Sequence, residues 1–276
     1  MALLTADFEF VTNFARRSAA IIIEPGKDYF VESRLSSLAS SNACSSVPEF
    51  INLLRKTPPS NPLHNKVLDA LTTNETFFFR DIAPFDALRE SIIPKLIAQR
   101  AAQRSLSFWS AASSTGQEAY SLAMMIRESF PQLADWTIQI IGTDLCSTVL
   151  VQARAGAYNE FEINRGLSPA LIKKYFTQAG KVWTANAELR RMVDFRPMNL
   201  IEPWPRLPLF DVVLMRNVMI YFDVPTKQGI LRNIRATLQP QGSLLLGSAE
   251  TTLNLDAGWQ SVGLGRATVY QPFGAQ

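Results

Sequence analysis

Residues 107–126, SFWSAASSTGQEAYSLAMMI, constrain the chain more than any other stretch. An apolar run (Leu106, Phe108, Trp109) passes through tiny residues from Ser110 to Gly116. It then opens an apolar helix carrying Tyr120, Leu122, Ala123, Met125 and Ile126. Strand, small-residue turn and helix, in that order, make the first half of a nucleotide-binding βαβ unit. Small side chains let the backbone approach a ligand, and the N–H groups at the helix start point at it. The turn is not GxGxxG, since only Gly116 is a glycine. Taken alone, a turn that merely packs a helix on a sheet explains it better. Its weight comes from the segments that follow.

From Leu106 onward strands and helices alternate, which argues for a parallel sheet with helices on its faces. Residues 138–144 form an apolar strand ending in Asp144. A carboxylate there suits a ribose diol, because it accepts two hydroxyl hydrogen bonds; an N-cap for the helical 149–155 is the competing role. Residues 210–215, FDVVLM, read as a buried parallel strand running into Arg216, Asn217 and Tyr221. Ligands of such sheets sit beyond the carboxyl ends of the strands, so these three side chains face the site. A helix over 225–238, a strand over 243–247 and an antiparallel pair, 259–264 with 267–271, close the chain. The rhythm breaks at 157–198. There a short helix at 169–176 and strands at 181–184 and 192–195 predict a small antiparallel insertion, at about 175–198.

Residues 1–73 read as short helices broken at Glu24-Pro25-Gly26 and at 57–62, with Thr5 as the first N-cap. This region holds seven basic and seven acidic residues, so a basic docking face requires uneven placement, as at Arg16-Arg17, Arg34 or Arg55-Lys56. Residues 72–81, TTNETFFFRD, set three phenylalanines among hydrogen-bonding groups. A plug between two domains explains the phenylalanines but not Asn74, Thr76 and Arg80. A helix from 84 to about 104 links this segment to the sheet. The organisation expected is a helical domain at 1–73, a linker at 74–105 and an α/β domain at 106–276.

A net charge of +3 is too small to imply nucleic-acid binding, and no apolar run reaches membrane-spanning length. The N-terminus lacks the basic region of a secretory signal, and Cys44 and Cys146 are too few for a disulfide framework, so a cytoplasmic location with reduced thiols is expected. His64 is the single histidine, which argues against a histidine-based metal site or a Ser-His-Asp triad.

Four segments together, TTNETFFFRD, FWSAASSTGQEAYSLAM, GTDLCSTVLVQARAGAY and FDVVLMRNVMIYFD, resemble the chemotaxis receptor methyltransferases, the CheR family. The similarity extends over nearly the whole chain, including LLLGSAETT. It implies a Rossmann-like class I methyltransferase sheet and a separate all-helical N-terminal domain. It also implies S-adenosylmethionine as cofactor, S-adenosylhomocysteine as product, and no metal. The implied reaction esterifies glutamate side chains on the cytoplasmic helical bundles of chemoreceptors, by a monomer with no direct membrane insertion. A receptor C-terminal peptide is a possible second partner at the insertion. By motif, Asn74, Thr76, Arg80, Glu118 and Asp144 correspond to cofactor contacts, Asn199 and Leu200 to positions beside the adenine, and Met215, Arg216 and Asn217 to the pocket floor. Tyr221 corresponds to a tyrosine near the reacting groups. A basic residue late in the linker helix is matched by Arg100, with Arg104 close by.

A glutamate carboxylate, with a reference pKa near 4.3, is already ionised at neutral pH and needs no general base to accept a methyl group. The protein's task is alignment and exclusion of water, which Tyr221 and Arg100 are expected to serve by positioning the acceptor. A catalytically silent S-adenosylmethionine-binding adaptor is the competing reading. The retention of Asn74, Arg80, Glu118, Asp144, Asn217 and Tyr221 speaks against it.

Overall fold

The computed structural model describes residues 3–274. The chain divides into two compact units. One comprises the described residues up to Thr73 with Tyr221–Thr226, the other Asn74–Ile220 and the chain from Lys227 onward.

The first unit contains helices α1 (Thr5–Ala19), α2 (Asp28–Ser41), α3 (Val47–Lys56) and α4 (Pro62–Leu71). Their apolar stripes meet in a core that includes Val11, Val31, Leu35, Phe50, Leu54 and Val67. Local chemistry sets the starts. Ser46 Oγ accepts the Glu49 N–H at 3.3 Å, and the Glu49 carboxylate reaches back to the Ser45 N–H at 2.7 Å. Asn61 caps α4, with Pro62 supplying a first residue that has no N–H to satisfy. At α1 the expected cap is displaced by one residue: Leu4 has the extended cap backbone, Thr5 is already helical, and no side chain caps the turn. Two of the basic residues are spoken for within this unit. Arg55 pairs with Asp7 at 2.9 Å, and Arg16 with Asp223 at 3.2 Å.

The second unit holds strands β1 (Ser105–Ala111), β2 (Thr137–Asp144), β3 (Ala157–Asn159), β4 (Phe176–Ala179), β5 (Val182–Ala185), β6 (Val193–Pro197), β7 (Phe210–Met215), β8 (Leu238–Leu246), β9 (Trp259–Leu264) and β10 (Ala267–Pro272). Among the described residues they form a seven-stranded sheet in the order β6-β2-β1-β7-β8-β10-β9 and a three-stranded sheet in the order β3-β5-β4. The first five strands of the large sheet are parallel, and β10 runs antiparallel to β8 and β9. From β1 the chain builds outward on one side through β2 and β6, then returns to build through β7 and β8. The strand order therefore reverses between β1 and β7, the switch point at whose carboxyl ends ligands of such sheets bind. Helices Gln117–Ser129 and Ser147–Ala155 pack on β2 and β6. Trp109 fills the centre of β1, its indole N–H donating to Thr143 Oγ1 at 2.9 Å, beside Phe210 and Trp204.

Two expectations are corrected. The strand read at 192–195 is β6, and it does not belong to the insertion. It pairs parallel with β2 from Ile140↔Val193 to Asp144↔Pro197. Phe195 is buried there, against the backbone of Gly116 and Gly142, where a Cβ would meet its ring at 2.8 and 2.5 Å. The antiparallel insertion consists of β3, β4 and β5, so it begins at Ala157 rather than near 175 and ends at Ala185. The linker helix is also shorter than expected and broken. Ile82–Ala87 runs into a π turn, Leu88–Ile92, and then Ile93–Gln99. Pro94 has no N–H and its ring crowds the carbonyl four residues back, which opens the preceding turn.

Candidate active site

The loop after β1 is built from left-handed residues at alternate positions: Ala112 (φ 55°), Ser114 (φ 50°) and Gly116 (φ 93°). Small side chains tolerate this backbone better than large ones. The loop is tied to β2 by the Ser113 N–H, which donates to Thr143 O at 2.9 Å.

Asp144 ends β2, buried, and its two oxygens gather the neighbouring loops. Oδ2 accepts the Ser114 N–H at 2.8 Å and Oδ1 the Cys146 N–H at 2.9 Å. The N-cap position of the helix Ser147–Ala155 is Cys146, two residues further on. Asn74 joins this cluster: its carbonyl accepts from Ser114 Oγ at 2.8 Å and its Nδ2 lies 3.7 Å from Cys146 Sγ. The exit of β6 arrives at the same place, with the Met198 N–H donating to Asp144 O at 2.9 Å. Asn199 and Leu200 are therefore brought beside Asp144. The Leu200 carbonyl accepts the Trp204 indole N–H at 3.0 Å.

At the end of β7, Met215 is fully buried between Ala111 and Leu246. Arg216 has a side chain only 1% exposed, and both of its Nη atoms are engaged. Nη1 donates to Glu118 Oε2 at 2.8 Å, while Nη2 donates to Asp81 Oδ2 at 2.9 Å and to Arg80 O at 2.5 Å. The other oxygen of Glu118 accepts from Ser110 Oγ at 2.7 Å. Arg216 thus bolts the 80–81 segment to the sheet, where Phe79 (φ 52°) and Asp81 (φ 55°) hold a strained left-handed backbone. Arg80 is half-buried, with its guanidinium donating to Glu75 O at 2.7 Å and lying over Phe77. Thr76 is half-buried on the same segment.

The three phenylalanines go separate ways. Phe78 is fully buried against Tyr158 and Phe176, Phe79 meets Phe85, and Phe77 lies beneath the guanidinium of Arg165 at 4.2 Å. Phe78 and Phe79 pack inside the second unit, so they are core of that unit rather than a plug between domains.

Arg100 is corrected. Its Nε and Nη2 lie 3.0 and 2.9 Å from Asp211 Oδ1, and Asp211 Oδ2 accepts the Ser107 N–H at 2.8 Å. Asp211 is the second residue of β7 and Ser107 the third of β1, so this cluster sits at the amino ends of the strands. At roughly 3.3 Å per residue, it lies about 16 Å along β7 from Arg216. Arg104 belongs to the same region, pairing with Asp135 while its carbonyl accepts the Thr137 N–H at the start of β2. The linker helix ends at the wrong edge of the sheet to supply a catalytic arginine. Tyr221 ends a short 3-10 turn, Met219–Tyr221, and groups with the helical unit, where its carbonyl accepts the Ile22 N–H at 3.1 Å.

Sequence reasoning missed Asp81 and Glu250. Glu250 is buried, and its carboxylate accepts the N–H groups of Asn217, Val218, Met219 and Gly247 at 2.7–2.9 Å. A carboxylate three residues beyond a glycine that ends an apolar strand was the available signal.

The donor set fits S-adenosylmethionine. Asp144 ends β2 beside the small-residue loop, and a carboxylate there can accept hydrogen bonds from a ribose diol. The buried Ser113 hydroxyl has no protein partner and lies on that loop.

The profile of the family described as CheR methyltransferase, SAM binding domain, matches residues 74–266, and that of the CheR methyltransferase all-alpha domain matches residues 6–72. The chain belongs to the CheR methyltransferase family. CheR relatives share it end to end. Chemotaxis protein methyltransferase 1 of Pseudomonas aeruginosa is 38% identical, covering 98% of this chain and 99% of its own. Chemotaxis protein methyltransferase Cher2 of Pseudomonas putida is 38% identical, covering 96% and 97%. Chemotaxis protein methyltransferase 1 of Vibrio cholerae is 37% identical, covering 94% of each chain. This CheR protein is thus an S-adenosylmethionine-dependent methyltransferase with the sheet of that class and an all-helical N-terminal domain. Among its described residues no helix is long and apolar enough to cross a membrane, and no group of His, Cys, Asp or Glu is arranged to hold a metal.

Proposed function

We propose that this CheR methyltransferase esterifies glutamate side chains on the cytoplasmic helical bundles of chemoreceptors, acting as a cytoplasmic monomer. The observation that carries the reading is that, among the described residues, the carboxylates of the site are already engaged. The chain's single histidine, His64, lies in α4 with Nε2 3.1 Å from Thr57 O, and Asp144, Glu118 and Glu250 are all engaged by N–H groups, a hydroxyl or Arg216. A site whose carboxylates are engaged suits an acceptor that is ionised before it arrives, and a glutamate carboxylate is one.

Bound S-adenosylmethionine supplies an electrophilic methyl group and leaves as S-adenosylhomocysteine. Asp144 is assigned to the ribose and Asn199 with Leu200 to the adenine. Asn74, Thr76 and Asn217 line the remainder, and Arg216 with Glu118 hold the floor. Arg80 replaces Arg100 as the arginine that orients the acceptor carboxylate, and Tyr221 keeps its positioning role through its hydroxyl. The outer strands of the insertion, β3 and β4, offer edges to which a receptor C-terminal peptide would add as a further strand.

Transfer of label from methyl-labelled S-adenosylmethionine to receptor cytoplasmic fragments, followed by mild alkali, tests the reading. Release as methanol is expected. Alkali-stable label would refute carboxyl methylation. Cofactor binding without transfer to any of a panel of receptors would favour the adaptor.

A further inference from the structure

A buried carboxylate is costly unless its oxygens are hydrogen-bonded, so where one is fully satisfied the groups around it are held in place. Glu250 meets that condition outside the residues assigned to cofactor or acceptor. Oε2 accepts the N–H groups of Gly247 and Asn217, at 2.7 and 2.8 Å, and Oε1 those of Val218 and Met219, at 2.9 and 2.7 Å. Three of the four donors are consecutive, so the carboxylate closes the turn that leaves β7. Asn217 sits in that turn at φ 59°, a left-handed conformation that Asn reaches more readily than most residues but that still needs support. Met219 opens the 3-10 turn that ends in Tyr221.

Gly247 completes the device. A Cβ there would lie 2.7 Å from Glu250 Oε2, 2.8 Å from Asn217 Nδ2 and 2.9 Å from Asn217 N. The glycine leaves room for carboxylate and turn to close on each other, and the Glu250 N–H returns to Gly247 O at 2.9 Å. The end of β8 and the end of β7 are joined through one side chain.

We infer that Glu250 is a positioning residue for the reaction: it fixes the turn bearing Asn217 and thereby sets affinity for the cofactor without touching it. This rests on the S-adenosylmethionine reading above and adds a residue to it. In Glu250→Gln the side-chain volume stays, but an NH2 group is turned toward two N–H donors, so the turn loses half of its anchor. Gly247→Ala presses on the same turn with Glu250 intact.

The test is calorimetric titration of S-adenosylhomocysteine into the full-length wild type, Glu250→Gln, Glu250→Asp and Gly247→Ala, with melting curves and initial rates on each. Both Glu250→Gln and Gly247→Ala are expected to bind about tenfold more weakly and to show a raised KM for S-adenosylmethionine, while remaining folded. Glu250→Asp, which keeps all the acceptor capacity on a shorter stem, is expected to recover part of the affinity. Wild-type affinity in Glu250→Gln overturns the inference, as does a loss of rate that follows only the folded fraction, with KM unchanged. Absence of S-adenosylhomocysteine binding by the wild type would instead sink the cofactor reading itself.

Discussion

Arg100→Ala separates a structural arginine from a catalytic one. Asp211 is buried with its side chain 3% exposed, and Arg100 supplies both donors to its Oδ1. Removing one member of a fully buried ion pair costs about 3–5 kcal/mol, because the remaining charge is stranded. The cost here is smaller, since Arg100 is 24% exposed, so water reaches the gap, and Oδ2 keeps the Ser107 N–H. We expect about 2–4 kcal/mol. In a chain of this size, that lowers the melting temperature by roughly 5–12 °C. Below that temperature, kcat and the KM for S-adenosylmethionine should stay within about twofold of wild type, because the pair lies about 16 Å from the carboxyl end of β7. Adding Asp211→Asn should return part of the lost stability, since the stranded charge is gone. Scanning calorimetry and steady-state methylation rates read the two effects separately. A fall of about 100-fold in kcat at an unchanged melting temperature would refute the argument and restore Arg100 to the chemistry.

Other perturbations follow from the same geometry. Asp144→Asn replaces an acceptor with a donor facing the Ser114 or Cys146 N–H, and S-adenosylhomocysteine affinity should fall by about 10–100-fold in a calorimetric titration; unchanged affinity would remove Asp144 from the site. Gly116→Ala combines a φ of 93° with a Cβ 2.8 Å from the Phe195 ring, and should cost about 2–4 kcal/mol in denaturant unfolding; a neutral result would mean the ring yields freely. Burial, followed by the neighbouring Tyr120 and Glu162, raises the Tyr158 hydroxyl well above its ordinary 10.0. A raised pKa contributes stability that is complete below the unfolded value and is lost as pH climbs from there toward the folded one. Melting temperature should therefore decline above pH 10, and less steeply in Tyr158→Phe; parallel declines would exclude this residue as a cause.

What could be read in the sequence was what depends on composition and order along one strand. The apolar runs of β2 and β7 each point to a buried strand, and Asp144 marks its own place by ending one of them. The small-residue loop was legible for the same reason: a short tract of tiny side chains between a strand and a helix leaves few other structures. Arg100 was matched by resemblance, which places a basic residue late in the linker helix but does not say which end of the sheet that helix returns to. β6 was misread because a polar stretch between two short strands looks like a hairpin turn. That stretch holds a one-turn helix, Ala187–Arg191, with Asn186 accepting the Leu189 N–H at 2.8 Å, and it carries the chain from one sheet to the other. Glu250 left only one trace in the sequence, its place three residues beyond the glycine that follows β8, because its role exists only once β7 and β8 lie side by side.

The three-stranded insertion looks like a cassette that could be exchanged between relatives to change their partners, but its seams do not lie at its chain boundaries. The Tyr158 hydroxyl donates to Thr115 O at 2.8 Å, Phe78 inserts its ring between Tyr158 and Phe176, and a side chain at Gly166 would strike the Phe78 carbonyl at 1.9 Å. A chimera cut at 157 and 185 would bring a foreign tyrosine and a foreign glycine against the host's phenylalanine and loop. The transferable block is discontinuous: the insertion, the 77–79 tripeptide and the Ala112–Gly116 loop travel together, so a graft of the insertion also reshapes the loop that leaves β1.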